Sequence, residues 1–152
     1  MKYERITEQI LGCAFEVINE LGSGFLESVY EKALTLALKD KGFSVVNQYP
    51  INVYFRNKVV GEFYADLFVD NKVIVELKAV KSLLPEHKAQ VINYLKGTGI
   101  EVGLLINFGN QQLEYNRLYL PGSTNKEYKQ DKQDEQDEQD SQDGQDEVNG
   151  LF

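Results

Sequence analysis

At Gly42 the chain changes from helix-forming to strand-forming chemistry, and that switch fixes its class. Before it, Ile6, Ile10, Ala14, Val17, Ile18 and Leu21 recur at three- and four-residue steps, with Glu4, Glu8, Glu16 and Glu20 largely off the stripe. The spacing predicts an amphipathic helix, interrupted by the glycines of Leu21-Gly22-Ser23-Gly24. A second helix is expected from about Phe25 to Lys41, with Leu26, Val29, Ala33, Leu36 and Ala37 toward the core. Beyond Gly42, Val45–Phe55 carries β-branched and aromatic residues, and its Pro50 suits an edge strand or a bulge. Val59–Val69 and Val73–Val80 flank Asp70-Asn71-Lys72 and read as a hairpin. Pro85 opens a third helix running to about Lys96, and Gly97-Thr98-Gly99 closes it. Val102–Phe108 is almost wholly apolar, as a buried central strand would be, and Leu113–Leu120 supplies the last strand. The order ααβββαββ predicts an α/β fold, α+β-like in its order, with a mixed β-sheet flanked by helices.

With 152 residues the chain holds one core rather than two. One cysteine (Cys13) and one histidine (His87) exclude an intrachain disulfide and a Cys/His zinc site. No apolar run approaches a membrane span, and the opening MKYERITEQI lacks the build of a signal peptide, so a cytoplasmic setting without a membrane partner is expected. The net charge of −8 is unevenly placed. Residues 121–152 hold −7 of it and residues 1–120 only −1, so the expected domain (1–120) is nearly neutral. The segment 121–152 contains six consecutive Gln-Asp-X triplets, a period that builds no apolar stripe. It is expected to be a disordered, acidic, low-complexity tail. Such a tail is either an inert extension or an arm competing with nucleic acid for basic groups of the body.

Three charged residues do not lie on an expected surface. Asp66 sits within Phe63–Val69, and Glu76 and Lys78 within Val73–Val80. A carboxylate inside an apolar strand costs desolvation unless it is paired or bound to metal. Glu76 and Lys78, two apart on a strand, share a face. Whether Asp66 joins them depends on the hairpin register. A two-residue loop (Asp70-Asn71) turns Asp66 to the opposite face, whereas a three-residue loop (Asp70, Asn71, Lys72) pairs it with Glu76. The chemistry such a cluster suits is metal-assisted phosphodiester hydrolysis. Two carboxylates hold Mg²⁺, a hard cation, and the lysine orients water or stabilises transition-state charge. The bland alternative is a buried Glu76–Lys78 ion pair with Asp66 at a strand end.

Asp66 followed by Glu76-Leu77-Lys78 resembles the signature of the PD-(D/E)xK nuclease superfamily, and Gly24-Phe25-Leu26-Glu27-Ser28-Val29-Tyr30 resembles the GxxExxY motif that names one family within it. The resemblance covers roughly Ile6 to Tyr119, including Val102-Gly103-Leu104-Leu105-Ile106-Asn107-Phe108-Gly109. Ala65 stands where the superfamily often has proline, and the Gln-Asp-X tail has no counterpart. The resemblance implies a restriction-endonuclease-like core and a Mg²⁺-dependent nuclease in which Mn²⁺ can substitute. It implies Asp66, Glu76 and the backbone carbonyl of Leu77 as metal ligands, Lys78 as the catalytic lysine, and Glu27 as a helical acid beside the metal. Glu27 and Tyr30, three apart, share a helix face, and Gly24 permits a tight turn before them. The bland reading of Glu27 is an exposed glutamate favoured by the helix dipole.

Gln90 and Tyr94, four apart on the third helix, resemble a Gln-x-x-x-Tyr motif of the RecB-like branch that lies near the DNA end. With Tyr30 they are candidates for supporting the site or binding substrate. Their bland reading is helix-face polarity plus a packed tyrosine. His87 is expected at the surface and Cys13 in the core. Charge supports a nucleic-acid partner only weakly: Lys78, Lys81, Lys88 and Lys96 could form a local basic rim, but no Arg-rich stripe accompanies them. The competing function is a non-catalytic nuclease-fold module binding nucleic acid or a protein partner, and a structural or homo-oligomerising domain is a third.

Overall fold

Eight elements follow one another within the described residues, 2–123: α1 (Glu4–Leu21), α2 (Glu27–Asp40), β1 (Val45–Phe55), β2 (Lys58–Val69), β3 (Val73–Lys78), α3 (Pro85–Thr98), β4 (Val102–Asn107) and β5 (Glu114–Tyr119). They belong to the unit Tyr3–Pro121. From residue 124 onward, the acidic tail expected from the sequence lies outside the described residues. The strands form one sheet in the order β1-β2-β3-β4-β5. Only β3 and β4 run parallel, and the long crossover that parallel strands require is α3. The result is the mixed α/β sheet with flanking helices that the element order predicts.

The two central strands are the most apolar, and every residue of β4 is buried. Alternate side chains meet different helices. Ile74, Leu105 and Leu118 pack with Val91, Tyr94 and Leu95 of α3. The opposite face meets α1 and α2: Arg117 of β5 donates through Nε to Thr7 Oγ1, and Tyr30 of α2 stacks on Phe108 with centroids 4.6 Å apart. Cys13 is buried in α1, as expected of a small core residue.

The core face of α2 differs from the expected one. Tyr30, Leu34, Thr35 and Leu38 are buried, whereas Leu26 and Leu36 are exposed. Val29, Ala33 and Ala37 are half-buried at the edge of the stripe. The cause is local. Tyr30 is itself an apolar anchor one position beyond Val29, and counting it as a site residue rotates the expected stripe by one position. β3 also ends at Lys78 rather than Val80, because the Val80 N–H and C=O are taken by the side chain of Asn107 instead of a neighbouring strand.

Pro50 lies in the edge strand β1, where its missing N–H costs no ladder bond. Within this strand Gln48 adopts φ 51°, in the left-handed region. The β1–β2 pairing runs from Asn47–Leu67 to Tyr49–Ala65 and passes over Gln48 and Asp66. On either side of that step the packing changes helix: Asn47 donates to Thr35 of α2, while Tyr49 and Ala65 belong to the α3 cluster. The ribbon therefore turns at the level of Asp66.

Candidate active site

The β2–β3 ladder pairs Val69 with Val73, Phe68 with Ile74 and Leu67 with Val75, so the loop is Asp70-Asn71-Lys72. Asp70 and Asn71 take φ 54° and 55°, which short polar side chains tolerate. This is the odd-length alternative, and its register brings Asp66 opposite Glu76. There the carboxylates replace the ladder. The Asp66 N–H donates to Glu76 Oε1 (3.3 Å), and the Leu77 N–H donates to Asp66 Oδ2 (2.8 Å). Each acid thus holds the backbone of the other's strand. The Leu77 side chain is buried in the core, leaving its peptide beside both acids.

Glu76 is only 6% exposed. Burial first, and then the neighbouring Asp66, push its carboxyl up to about 8, against the pull of the Asp66 N–H and of Lys78. Asp66 is also raised, chiefly by burial, with Glu31 and Glu27 adding to the rise and hydrogen bonds from Leu77 and Gln48 opposing it. The Lys78 ammonium stands 4.0 Å from Glu76 Oε2, beyond hydrogen-bond reach. A full ion pair would keep Glu76 ionised at neutral pH; the distance and the burial both favour the raised carboxyl. The ion pair of the alternative reading is therefore present but loose, and Asp66 lies within the paired strands rather than at a strand end.

Stability of the metal-free protein is expected to depend on this cluster. Glu76 titrates near 4.5 when unfolded and near 8 when folded. Between those values the folded state binds more protons, so its stability is full below the lower value and falls as pH rises through the higher. At ~1.4 kcal/mol per pH unit the loss is of the order of a few kcal/mol. Thermal midpoints in EDTA should decline between about pH 4.5 and 8, and Glu76→Gln should flatten the decline. Equal slopes in the two proteins would contradict this assignment.

The α3 helix brings Gln90 and Tyr94 within electrostatic range of the cluster. Gln90 Nε2 donates to Tyr94 Oη at 3.0 Å. Tyr94 is pushed up to about 12, first by burial and then by the charges of Glu76 and Asp66, so its O–H stays a hydrogen-bond donor. Tyr94 is also packed in the α3 core cluster, as the bland reading expects, and feels the charge of both carboxyls from there. His87 caps α3: its Nδ1 accepts the Leu84 N–H. Its ring is lowered by burial and then by Lys78, which places it within electrostatic range of that lysine.

From α2, Glu27 is exposed in the first turn, and its charge is felt at both carboxyls. Among the described residues no three His, Cys, Asp or Glu side chains gather as a metal ion would need, so Glu27 does not complete a third acidic ligand with Asp66 and Glu76. Of the two roles expected of Tyr30, the structure accords with support from within the core. The side chain is wholly buried; its hydroxyl donates to the Gly22 carbonyl (2.7 Å) and accepts the Phe25 N–H (3.2 Å). It ties down the α1–α2 loop, where Gly24 adopts φ 114°, and does not reach a substrate. Tyr30→Phe should lower stability by about 1–3 kcal/mol through the stranded backbone groups while leaving turnover intact. Loss of turnover with an unchanged thermal midpoint would return Tyr30 to the site.

Sequence reasoning missed three participants. Gln48 Nε2 bridges Asp66 Oδ1 (3.2 Å) and Glu31 Oε1 (3.0 Å), fixing the acid from the β1 side. Glu31 follows Glu27 by one helical turn, so the same-face rule could have found it. The left-handed Gln48 carries no sequence signal. Asn107 is the third: its Oδ1 accepts the Val80 and Gly109 N–H groups, and its Nδ2 donates to the Val80 carbonyl and to Glu114. This latch fixes the chain just past Lys78.

A family model of the PD-(D/E)XK nuclease superfamily matches residues 4–118. The chain belongs to that superfamily. The matched span takes in Asp66, Glu76, Lys78 and all three helices of this PD-(D/E)XK domain. Among solved structures, the crystal structure of SSO0001 is similar with a TM-score of 0.50 and 19% identity over 63% of this chain, a likeness of fold. The chain spans half the length of that protein. A search of curated proteins finds no match. PD-(D/E)XK nucleases generally use divalent metals. Among the described residues no helix is long and apolar enough to cross a membrane.

Proposed function

We propose that the chain is a Mg²⁺-dependent nuclease of the GxxExxY type, hydrolysing phosphodiester bonds in DNA or RNA, with Mn²⁺ able to substitute. One observation carries this reading: the half-buried Asp66 and the buried Glu76 each accept a backbone N–H from the other's strand, with the Lys78 ammonium 4.0 Å from Glu76 Oε2. An oxygen-preferring divalent cation fits that pair of carboxyls. Asp66, Glu76 and the Leu77 carbonyl would hold it, with Glu27 at the exposed edge. When bound, the ion supplies Lewis-acid polarisation of the phosphoryl group and a lowered pKa for nearby water.

The chain's own residues do the remaining work. Gln48 and the Leu77 N–H hold the Asp66 carboxylate in orientation. Lys78 offers fixed donors to the phosphoryl oxygens as their charge grows, inside a site where burial strengthens that attraction. Tyr94, oriented by Gln90, presents a second donor from α3.

Cleavage of labelled DNA and RNA oligonucleotides, single- and double-stranded, with Mg²⁺, Mn²⁺ or EDTA tests the proposal. Metal-dependent products that vanish in Asp66→Ala support it; no cleavage of any substrate with either metal overturns it. The absence of a third clustered metal-ligating side chain among the described residues favours the competing module that binds without cutting. That module predicts binding insensitive to EDTA and to Lys78→Ala.

A further inference from the structure

The β1–β2 hairpin outgrows the sheet. β3 pairs with β2 only over Leu67–Val69, so the ribbon from Tyr49–Ala65 to the Arg56-Asn57 turn is two-stranded. Two-stranded ribbons are marginal alone, and α3 supports only the side carrying Ile51. The distal part leaves Tyr54 (61%), Phe55 (59%), Val59, Val60 (62%), Phe63 and Tyr64 (54%) exposed. Four of these six are aromatic.

We propose that this arm binds a single-stranded polynucleotide, stacking bases on Phe55 and Phe63, which share the Ile51 and Val53 face of the ribbon, placing phosphates at Arg56 and Lys58, and leading the strand to Asp66. The inference rests on the nuclease reading for what happens at the end of that path. Three observations choose the occupant. The tip of the arm carries Arg56 and Lys58 with Glu62, opposite Asn52, as the one acidic residue between Lys41 and Tyr64, so its local charge is positive within an otherwise near-neutral body. The Arg56 guanidinium lies 4.9 Å from the Phe55 ring centroid, which joins a phosphate-binding cation to a base-stacking ring. The path is continuous with the site: Phe63 precedes Asp66 on one strand, and its ring is 6.0 Å from that of Tyr94, which feels the charge of both carboxyls.

A second copy of the chain fits less well. Tip-to-tip pairing would bring like charges together. Extension of the sheet at the β1 edge meets Pro50, the left-handed Gln48 and a bulge beside Val53, all of which blunt edge pairing. Duplex also fits poorly, because its bases are already stacked on one another.

The test uses the full chain in EDTA, with fluorescence anisotropy of a labelled oligodeoxythymidylate and of a duplex of equal length. The single strand should bind at least about tenfold more tightly than duplex. Phe55→Ala should weaken single-strand binding by about 5- to 100-fold with little effect on duplex. Arg56→Gln should reduce the slope of log K against log salt by about 0.7. Leu36→Ala, an equally exposed apolar change on α2, should do neither. Circular dichroism verifies the fold of each variant. Unchanged single-strand affinity in Phe55→Ala overturns the proposal, as does tighter duplex binding. A wild-type dimer dissociated by Phe55→Ala overturns it in favour of a second copy. Absence of metal-dependent cleavage defeats the nuclease reading alone, because this binding is measured without metal.

Discussion

Lys78→Ala is expected to lower the rate of metal-dependent phosphodiester cleavage by about 10²–10³-fold, the usual cost of losing one fixed donor to developing charge. Metal affinity should survive. Lys78 is not a ligand in this account, and its removal takes away a positive charge that would repel a bound cation. The fold should survive too, since the ammonium makes no hydrogen bond to Glu76 at 4.0 Å and Lys78 is the half-buried last residue of β3. Its aliphatic stem contributes some packing, so a loss of about 1 kcal/mol is tolerable. A variant that cuts at the wild-type rate contradicts the assigned role. One that loses metal binding along with cleavage would show that Lys78 organises the carboxylates rather than acting on the phosphate.

Gly109→Ala should produce the largest stability change. A Cβ there would collide with the backbone of Val80, which cannot move aside because Asn107 grips both its N–H and its C=O. Overpacking against backbone commonly costs 1–3 kcal/mol and more where nothing yields, so we expect at least ~3 kcal/mol. For a domain of this size that lowers the thermal midpoint by on the order of 10 °C. The segment after Lys78 should be the first to open, visible as faster amide exchange at Leu83, whose N–H is held by Glu114. A midpoint unchanged by the substitution would mean that the latch has slack the structure does not show.

What could be read from the residues depended on the range of the physics involved. Element type is local: the helix stripes, the apolar run of Val102–Asn107 and the hairpin around Asp70-Asn71-Lys72 each announce themselves within a dozen residues. The Asp66–Glu76 pairing was legible as a choice between two loop lengths, and the pairing of Val69 with Val73, which leaves Lys72 in the loop, decides it. The site beyond the strands is set by tertiary geometry. Tyr30 matches a motif position near a site residue, yet its hydroxyl serves the Gly22 carbonyl, because the α1–α2 loop needs an internal partner there. Gln48 was invisible, since no one-dimensional pattern reports a left-handed residue inside a strand. Glu31 was legible in principle, one turn beyond Glu27, and became meaningful only through Gln48.

Calorimetric titration of the full chain with Mn²⁺ in oligonucleotide-free buffer addresses the central claim most directly, because it asks whether Asp66 and Glu76 are a metal site without requiring a substrate. The account predicts one saturable binding event, accompanied by proton release as the raised carboxyls ionise, retained in Lys78→Ala and lost in Asp66→Ala. Absence of binding by the wild-type protein, or binding that persists unaltered in Asp66→Ala, would contradict it.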